Sequence, residues 1–483
     1  MGAPSLSALV AAISHPFTPN ERWHVAKYLG LAILTGFSQL LWLSKDAFRY
    51  KDLMSWDITI AWLLNLITLA VAVMTIQAAK KTRAVLIANS VVVYATPIIA
   101  SILALILCYF PEVNGLTWLF WLTSILLAVF EVILWVLWAE CHASARSRYS
   151  LGHVTVSFGA VFIAVVLLSL FLPDNIVPAF ISVLPTLSGI LLWSTLKYVD
   201  KTFPPLLPRS MSIAVRPNIT VVCVVVFSMC TACTFVGGMI PQSVSTASFG
   251  LIVGTLSGGA MMLVLALIHF ISKKKLTIFQ LTPWVIIVAM SAFALYLYGP
   301  ETYEEACVIV LGCPLVFQVM LVVYFGKLAT KGYFAPSLMF ALSLLCSQIG
   351  VAAGDVLSLI VETLPAPTLE STATVISFAF MLFQAALIIL LTRQEFLLER
   401  LMSDPVPREK AELICEEMAA EFKLSPRETE ILRLLAQGAS TNKIAEKFFI
   451  SPNTVNTHIR HIYEKTSIHS RAELIDYVNM RND

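Results

Sequence analysis

Between residues 28 and 391 the sequence returns repeatedly to apolar runs of about 20 residues, the length of helix that crosses the hydrocarbon of a bilayer. Runs of this kind leave few options, because backbone polar groups in hydrocarbon must be satisfied within the segment itself. An all-α, polytopic helical bundle is therefore expected. Hydropathy places about twelve spans, centred near Leu34, Leu66, Ile98, Leu127, Ile163, Leu184, Val226, Met262, Val288, Val316, Leu345 and Leu382. The residue balance agrees: 58% of the chain is hydrophobic and only 13% charged, too little charge to coat a soluble exterior.

Basic residues then assign the loops to sides. They gather in every second connection, at Lys80, Lys81 and Arg83, at Arg146 and Arg148, at Lys197, Lys201, Arg209 and Arg216, at Lys273 to Lys275, and at Lys327 and Lys331. The loops between, such as PEVN, PDN and PQSVST, carry none, so the positive-inside bias predicts both termini in the cytoplasm. Lys45, Arg49 and Lys51 dissent, in company with Asp46 and Asp52. Residues 1–27 form a cytoplasmic N-terminal segment without the basic start of a cleaved signal peptide. Residues 28–392 form the membrane domain.

A long cytoplasmic connection, residues 197–218, divides the spans six and six. That layout resembles the major facilitator superfamily, whose two six-helix halves enclose a central cavity. The superfamily's Gly-x-x-x-Asp-Arg-x-Gly-Arg-like run after the second helix is replaced at residues 77–85 by QAAKKTRAV, which keeps the charge of Lys80, Lys81 and Arg83 but lacks the Gly and Asp. The departure argues against active transport.

Charged groups inside spans are costly and normally face a cavity or a partner, which makes Asp57, Glu131 and Asp355 candidate ligand contacts. Their bland alternatives are snorkelling for Asp57 and interhelical hydrogen bonds for Glu131 and Asp355. Gly254, Gly258 and Gly259, and likewise Gly350 and Gly354, suit close helix approach. The nine cysteines are scattered through apolar runs; even the Cys230-x-x-Cys233 pair reads as packing, with no disulfide framework or metal spacing. No cofactor is expected, and no nucleotide loop, metal cluster or nucleophile-base arrangement points to an enzyme.

After residue 391 the composition turns polar. Residues 393–422 read as a linker containing an amphipathic stripe of Leu413, Ile414, Met418 and Phe422, suited to packing on the next domain or to a dimer contact. Residues 423–483 carry dense helix punctuation: Ser425 with Pro426 and Glu428 is a capping box, Gly438 a stop, Ser440 or Thr441 and then Ser451 with Pro452 are new starts, and Ser470 with Glu473 is another capping box. Four short helices follow from these signals. On the third, Val455, Ile459, Ile462 and Thr466 recur at helical spacing and face a core of Leu432, Leu435, Ile444 and Ile450. The opposite face holds Asn453, Asn456, Thr457, Arg460 and Glu464, groups able to read base edges in a major groove. A helix from Thr441, a turn at residues 449–451 and this exposed helix make a helix-turn-helix.

Leu424, Ser425, Arg427 and Glu428, then Gly438 and Ser440, Ile444 and Ala445, Ile450 and Ser451, Thr454 and Val455, His458, Lys465, Arg471 and Leu474 follow a spaced pattern that resembles the LuxR-type, or NarL/FixJ, DNA-binding domain. The resemblance implies that Asn456, Thr457 and Arg460 face bases, and that Thr454, His461 and Lys465 lie near phosphates. The family often has Lys where this chain has Asn456, which implies weaker salt-dependent affinity and an altered site preference. Taken together, these readings predict a membrane-embedded, one-component transcription regulator in the bacterial inner membrane. It would sense a small molecule through its spans and bind double-stranded promoter DNA as a homodimer. The alternative is a major-facilitator-like transporter with a fused regulatory or protein-docking domain.

Overall fold

The structure, a computed structural model, describes residues 22–43, 71, 86–109, 117–144, 151–173, 175–196, 215–240, 248–271, 278–330, 335–402, 408–436, 439, 441–471, 473, 474 and 477. The chain divides into two compact units, Met1–Met402 and Ser403–Asp483.

The first unit is built of α1 (Arg22–Leu43), α2 (Ser90–Tyr109), α3 (Thr117–Ser144), α4 (Leu151–Phe171), α5 (Val177–Leu196), α6 (Val215–Met239), α7 (Ser248–Ile271), α8 (Ile278–Tyr298), α9 (Tyr303–Thr330), α10 (Pro336–Glu362) and α11 (Ala366–Met402). Ten of these helices, α2 to α11, are long and apolar enough to cross a membrane. The expected first span falls on α1, whose apolar stretch is the shorter Tyr28–Leu41. The expected second, around Leu66, lies outside the described residues, as do Asp57, the basic loops at Lys80 and Arg146, and most of the 197–218 connection. Apolar side chains point outward as well as inward: Trp284 is 65% exposed, Val375 67% and Leu382 59%. Water would not tolerate such a surface, but lipid covers it.

The helices before residue 215 pack mainly on one another, as do those after it, and the groups meet where α4 lies on α7 and α3 on α10. Several of these contacts depend on side chains being absent. A Cβ on Gly258 of α7 would lie 3.0 Å from the Gly312 carbonyl oxygen of α9, and one on Gly259 would lie 2.9 Å from Ile163 of α4. On α10, a Cβ at Gly354 would come within 2.5 Å of the Thr231 carbonyl of α6. Where hydrocarbon surrounds the helices, this close van der Waals approach replaces the hydrophobic effect as the cohesive force. Gly354→Leu is accordingly expected to cost about 1–3 kcal/mol or more of bundle stability. Its melting temperature in detergent should fall well below that of Ala353→Leu on the neighbouring, partly exposed position; equal melting would refute the tight seam.

Polar side chains stitch the same helices. Trp138 Nε1 of α3 donates to Ser188 Oγ of α5 at 2.9 Å, and that hydroxyl donates to the Gly30 carbonyl of α1 at 2.7 Å.

The second unit contains α12 (Arg408–Glu421), α13 (Pro426–Ala436), α14 (Thr441–Phe448) and α15 (Pro452–Thr466); residues 471, 473, 474 and 477 are also helical. Its core gathers Ile414, Cys415 and Met418 of α12 with Ile431, Leu432, Leu435, Ile444, Ala445, Val455, Ile462, Ile468 and Leu474. Ile414 and Met418 of the amphipathic stripe, with Phe422 against them, thus pack on their own unit, the first of the two expected uses. Of the expected linker, residues 393–402 prolong α11 and Arg408–Glu421 join this core.

Candidate nucleic-acid interface

Local signals start α15. Ser451 is extended (φ −70°, ψ 149°), and its Oγ accepts the Thr454 amide at 3.1 Å, with Pro452 in the first turn where its missing N–H costs nothing. Phe449 enters the turn from α14 with φ 53°, and the Ile450 amide closes onto the Ala445 carbonyl at 3.0 Å. The helix ends at Ser467, left-handed at φ 54°. Gly438 and Ser440 lie outside the described residues.

The two faces of α15 separate as the helical spacing predicts. Val455, Ile462 and Thr466 are buried and Ile459 is half-buried, while Asn453, Asn456, Thr457, Arg460 and Glu464 are exposed. Thr457 Oγ1 donates to the Asn453 carbonyl of its own helix at 3.1 Å. Arg460 Nε lies 3.8 Å from Glu464, with side chains 69% and 66% exposed. A pair this long and this wet is worth little and leaves the guanidinium able to swing to another partner.

The expected phosphate neighbours are held differently. The Thr454 hydroxyl lies 2.9 Å from Ser451 Oγ at the start of the helix. Lys465 Nζ pairs with Glu428 Oε2 of α13 at 2.7 Å, and His461 Nδ1 approaches Oε1 of the same carboxylate at 3.9 Å. Glu428 also accepts the Ser425 amide at 2.7 Å while its own amide donates to Ser425 Oγ at 3.3 Å, so the expected capping box forms in full. Burial opposes ionisation of Glu428, but the Lys465 hydrogen bond, and after it the Ser425 amide and hydroxyl, outweigh burial and hold its carboxyl down at about 2. One buried carboxylate therefore starts α13 and anchors α15 to it. Sequence spacing exposed only the first of those roles, because Lys465 stands 37 positions away and no local pattern connects them.

The box at Ser470 differs from expectation: Ser470 Oγ accepts the Glu473 amide at 3.1 Å, but the Glu473 carboxylate reaches one residue further back, to the His469 amide at 2.8 Å. Arg471 then donates to the Leu435 and Ala439 carbonyls at 3.4 and 2.5 Å, satisfying oxygens left over where α13 ends. Arg427 lies 3.9 Å above the Phe448 ring, joining α13 to α14. These arginines brace the scaffold on which the exposed face of α15 is presented.

Of the candidate ligand contacts, Glu131 lies on α3 and Asp355 on α10 of the first unit. Ser38 of α1 donates a hydrogen bond to Glu131 of α3, and Asp355 of α10 is half-buried beside Gly354. Two buried polar groups carry no signal in the sequence pattern. Glu140, 3% exposed, accepts the Ile87 amide at 2.8 Å, and fully buried His142 stacks on Tyr28 with ring centroids 5.3 Å apart. Both follow the apolar run of α3 so closely that they read as its hydrophilic end.

Residues 423–478 match the family model described as bacterial regulatory proteins, luxR family. The oxygen regulatory protein NreC of Staphylococcus carnosus is 48% identical over 54 residues, 11% of this chain and 25% of that protein. The fimbriae Z protein of Escherichia coli is 47% identical over 57 residues, 12% and 27% of the two chains. An HTH-type regulator of Mycobacterium tuberculosis is 43% identical over 53 residues, and there the match spans only 6% of the relative. Residues 423–478 thus form a LuxR-type helix-turn-helix domain, and the chain spans about a quarter or less of the length of these relatives. Among solved structures, the chain is similar to the human organic anion transporter MFSD10, with a TM-score of 0.49 at 14% identity over 79% of this chain and 100% of that one. It is also similar to the Escherichia coli fucose:proton symporter FucP, with a TM-score of 0.45 at 12% identity over 75% and 98%.

Proposed function

We propose that the protein is a membrane-embedded, one-component transcription regulator whose helical bundle senses a small molecule and whose C-terminal unit binds double-stranded promoter DNA. The observation that carries this reading is the exposed face of α15, where Asn456, Thr457 and Arg460 stand on a braced LuxR-type scaffold. Asn pairs in the major groove with adenine, Arg with guanine, and Thr offers a methyl or hydroxyl to base edges. Thr454 and His461 sit at the flanks of that face, where phosphates pass. Lys465 contributes positive charge there while tied to Glu428. Binding as a homodimer would set two such helices on half-sites about one helical turn apart.

The basic residues in alternate loops, and the need to reach DNA, support a reading with both termini in the cytoplasm and the bundle in the bacterial inner membrane. Ligand state would travel through α11, which runs unbroken from Ala366 to Met402. A ligand shifts such an equilibrium only by binding two arrangements of the bundle with different affinity. Glu131 and Asp355 are the proposed polar contacts, since each is a carboxylate on a helix of that bundle.

Genome-wide crosslinking and sequencing of the intact chain tests the reading. Discrete sites are expected, and they should vanish when Asn456 and Arg460 are both replaced by alanine. A map without discrete sites, or one unchanged in the double variant, would refute it.

A further inference from the structure

All nine cysteines are free thiols, and five of them meet in one region of the membrane unit. Cys223, Cys230 and Cys233 of α6 lie close to Cys346 of α10 and Cys313 of α9. The α6–α10 seam runs parallel with a regular register: Gly350 packs on Phe227 and Cys230, Gly354 on Thr231 and Thr234, and Gly238 on Ser358. One turn before Gly350, the same register sets Cys346 opposite Cys223, near enough for the two thiols to interact. A disulfide needs Cα atoms about 4.4–6.8 Å apart. The neighbouring turn shows how near the backbones come, because a Cβ on Gly350 would lie 2.6 Å from the Phe227 carbonyl oxygen. Cys230, Cys233 and Cys313 are buried, whereas Cys223 and Cys346 are only partly so, which leaves this pair the most accessible of the five. The five do not form a metal cage: no group of three or more His, Cys, Asp or Glu side chains placed to hold a metal occurs among the described residues.

We propose that Cys223 and Cys346 are a redox pair, oxidised by a lipid-soluble quinone to a disulfide that staples α6 to α10. Two S–H bonds break and one S–S bond forms, and the two electrons and two protons pass to the quinone, which leaves as the hydroquinone. The oxidant class follows from position. At 1.5 Å per residue, Cys223 lies about 6 Å inside the apolar stretch that begins at Ile219, and Cys346 about 15 Å inside the one that begins at Pro336. A charged oxidant such as a glutathione disulfide is excluded at that depth, while an uncharged two-electron oxidant dissolved in the bilayer has access. A parallel helix pair that is either covalently joined or held by packing alone is a two-state element of the kind signalling requires.

The test uses the full-length protein in proteoliposomes with and without a short-chain ubiquinone, followed by denaturation, alkylation with N-ethylmaleimide and mass spectrometry. Without quinone, all nine thiols are alkylated; with it, two are protected, leaving seven, and a peptide linking Cys223 to Cys346 appears and disappears with reductant. Cys223→Ser and Cys346→Ser should each show eight alkylated thiols under both conditions. Nine alkylated thiols in the presence of quinone, a different linked pair, or a covalent quinone adduct would overturn the pair. The same disulfide formed by hydrogen peroxide and not by quinone would overturn the oxidant. None of these readouts passes through DNA, so their failure leaves the regulator reading where it stands.

Discussion

Replacing Asn456 and Arg460 together by alanine should weaken binding to a cognate site by roughly 30- to 20,000-fold, because each good base-edge contact discriminates by about 1–3 kcal/mol and each 1.4 kcal/mol is tenfold. Fold stability should hardly change. Both side chains are exposed, and among the described residues Arg460 is engaged by the long contact to Glu464. Titrating full-length protein in detergent against cognate and unrelated duplexes separates the two sources of affinity. The cognate complex should lose most of its advantage, whereas affinity for unrelated DNA should move little, since phosphate contacts carry that component. An equal loss on both duplexes would show that α15 contributes charge alone and reads no bases.

The second large effect is expected at Glu428, which lies on α13 and not on the exposed face of α15. Glu428→Ala removes the carboxylate of the capping box, worth about 1 kcal/mol. It also removes the bond to Lys465, whose contribution of about 1–3 kcal/mol as a charge-assisted hydrogen bond must be discounted because that lysine is 40% exposed. A loss of about 2–3 kcal/mol is a large fraction of what holds a small unit together. Hydrogen exchange of α13 and α15 amides in the full chain should accelerate by one to two orders of magnitude, with α2 to α11 unchanged. The pH profile gives a further check. The folded carboxyl sits at about 2, below its ordinary value of 4.5. Its stabilisation is therefore complete above pH 4.5 and lost as pH falls from there towards 2. Glu428→Gln should flatten that part of the profile, and protection in the variant that still fell between pH 4.5 and 2 as in the parent would place the titrating group elsewhere.

Most of α15 is legible in the amino-acid sequence alone. Helical spacing separates Val455, Ile462 and Thr466 from Asn456, Thr457 and Arg460, and Ser451 with Pro452 marks where the helix begins. Such features are local: a cap acts within three residues and a face repeats every three or four, so a single chain displays them. The glycines of α7 and α10 are legible for the same reason, as small residues in runs that lipid must surround.

The partners of those features are not legible. Nothing near Lys465 announces Glu428, and nothing near Glu131 announces Ser38, because each pair joins helices whose order in space is set by packing. The amphipathic stripe of α12 is compatible with two uses, and only the presence of Ile431, Leu432 and Leu435 beside Ile414 and Met418 chooses between them. Glu140 looks like the polar end of a span until the Ile87 amide is seen to need it.

The sequence by itself determined the two kinds of unit, because hydrocarbon length and the absence of charge admit helices alone, while caps and stops at close spacing admit only a small helical domain. It also determined which face of α15 is polar, since 3.6 residues per turn leaves no choice. Tertiary structure decided which side chains meet: Glu428 with Lys465, Gly354 with the Thr231 carbonyl, Cys223 with Cys346. Those meetings depend on the close packing of elements far apart in the chain, and no period within one helix encodes its neighbour.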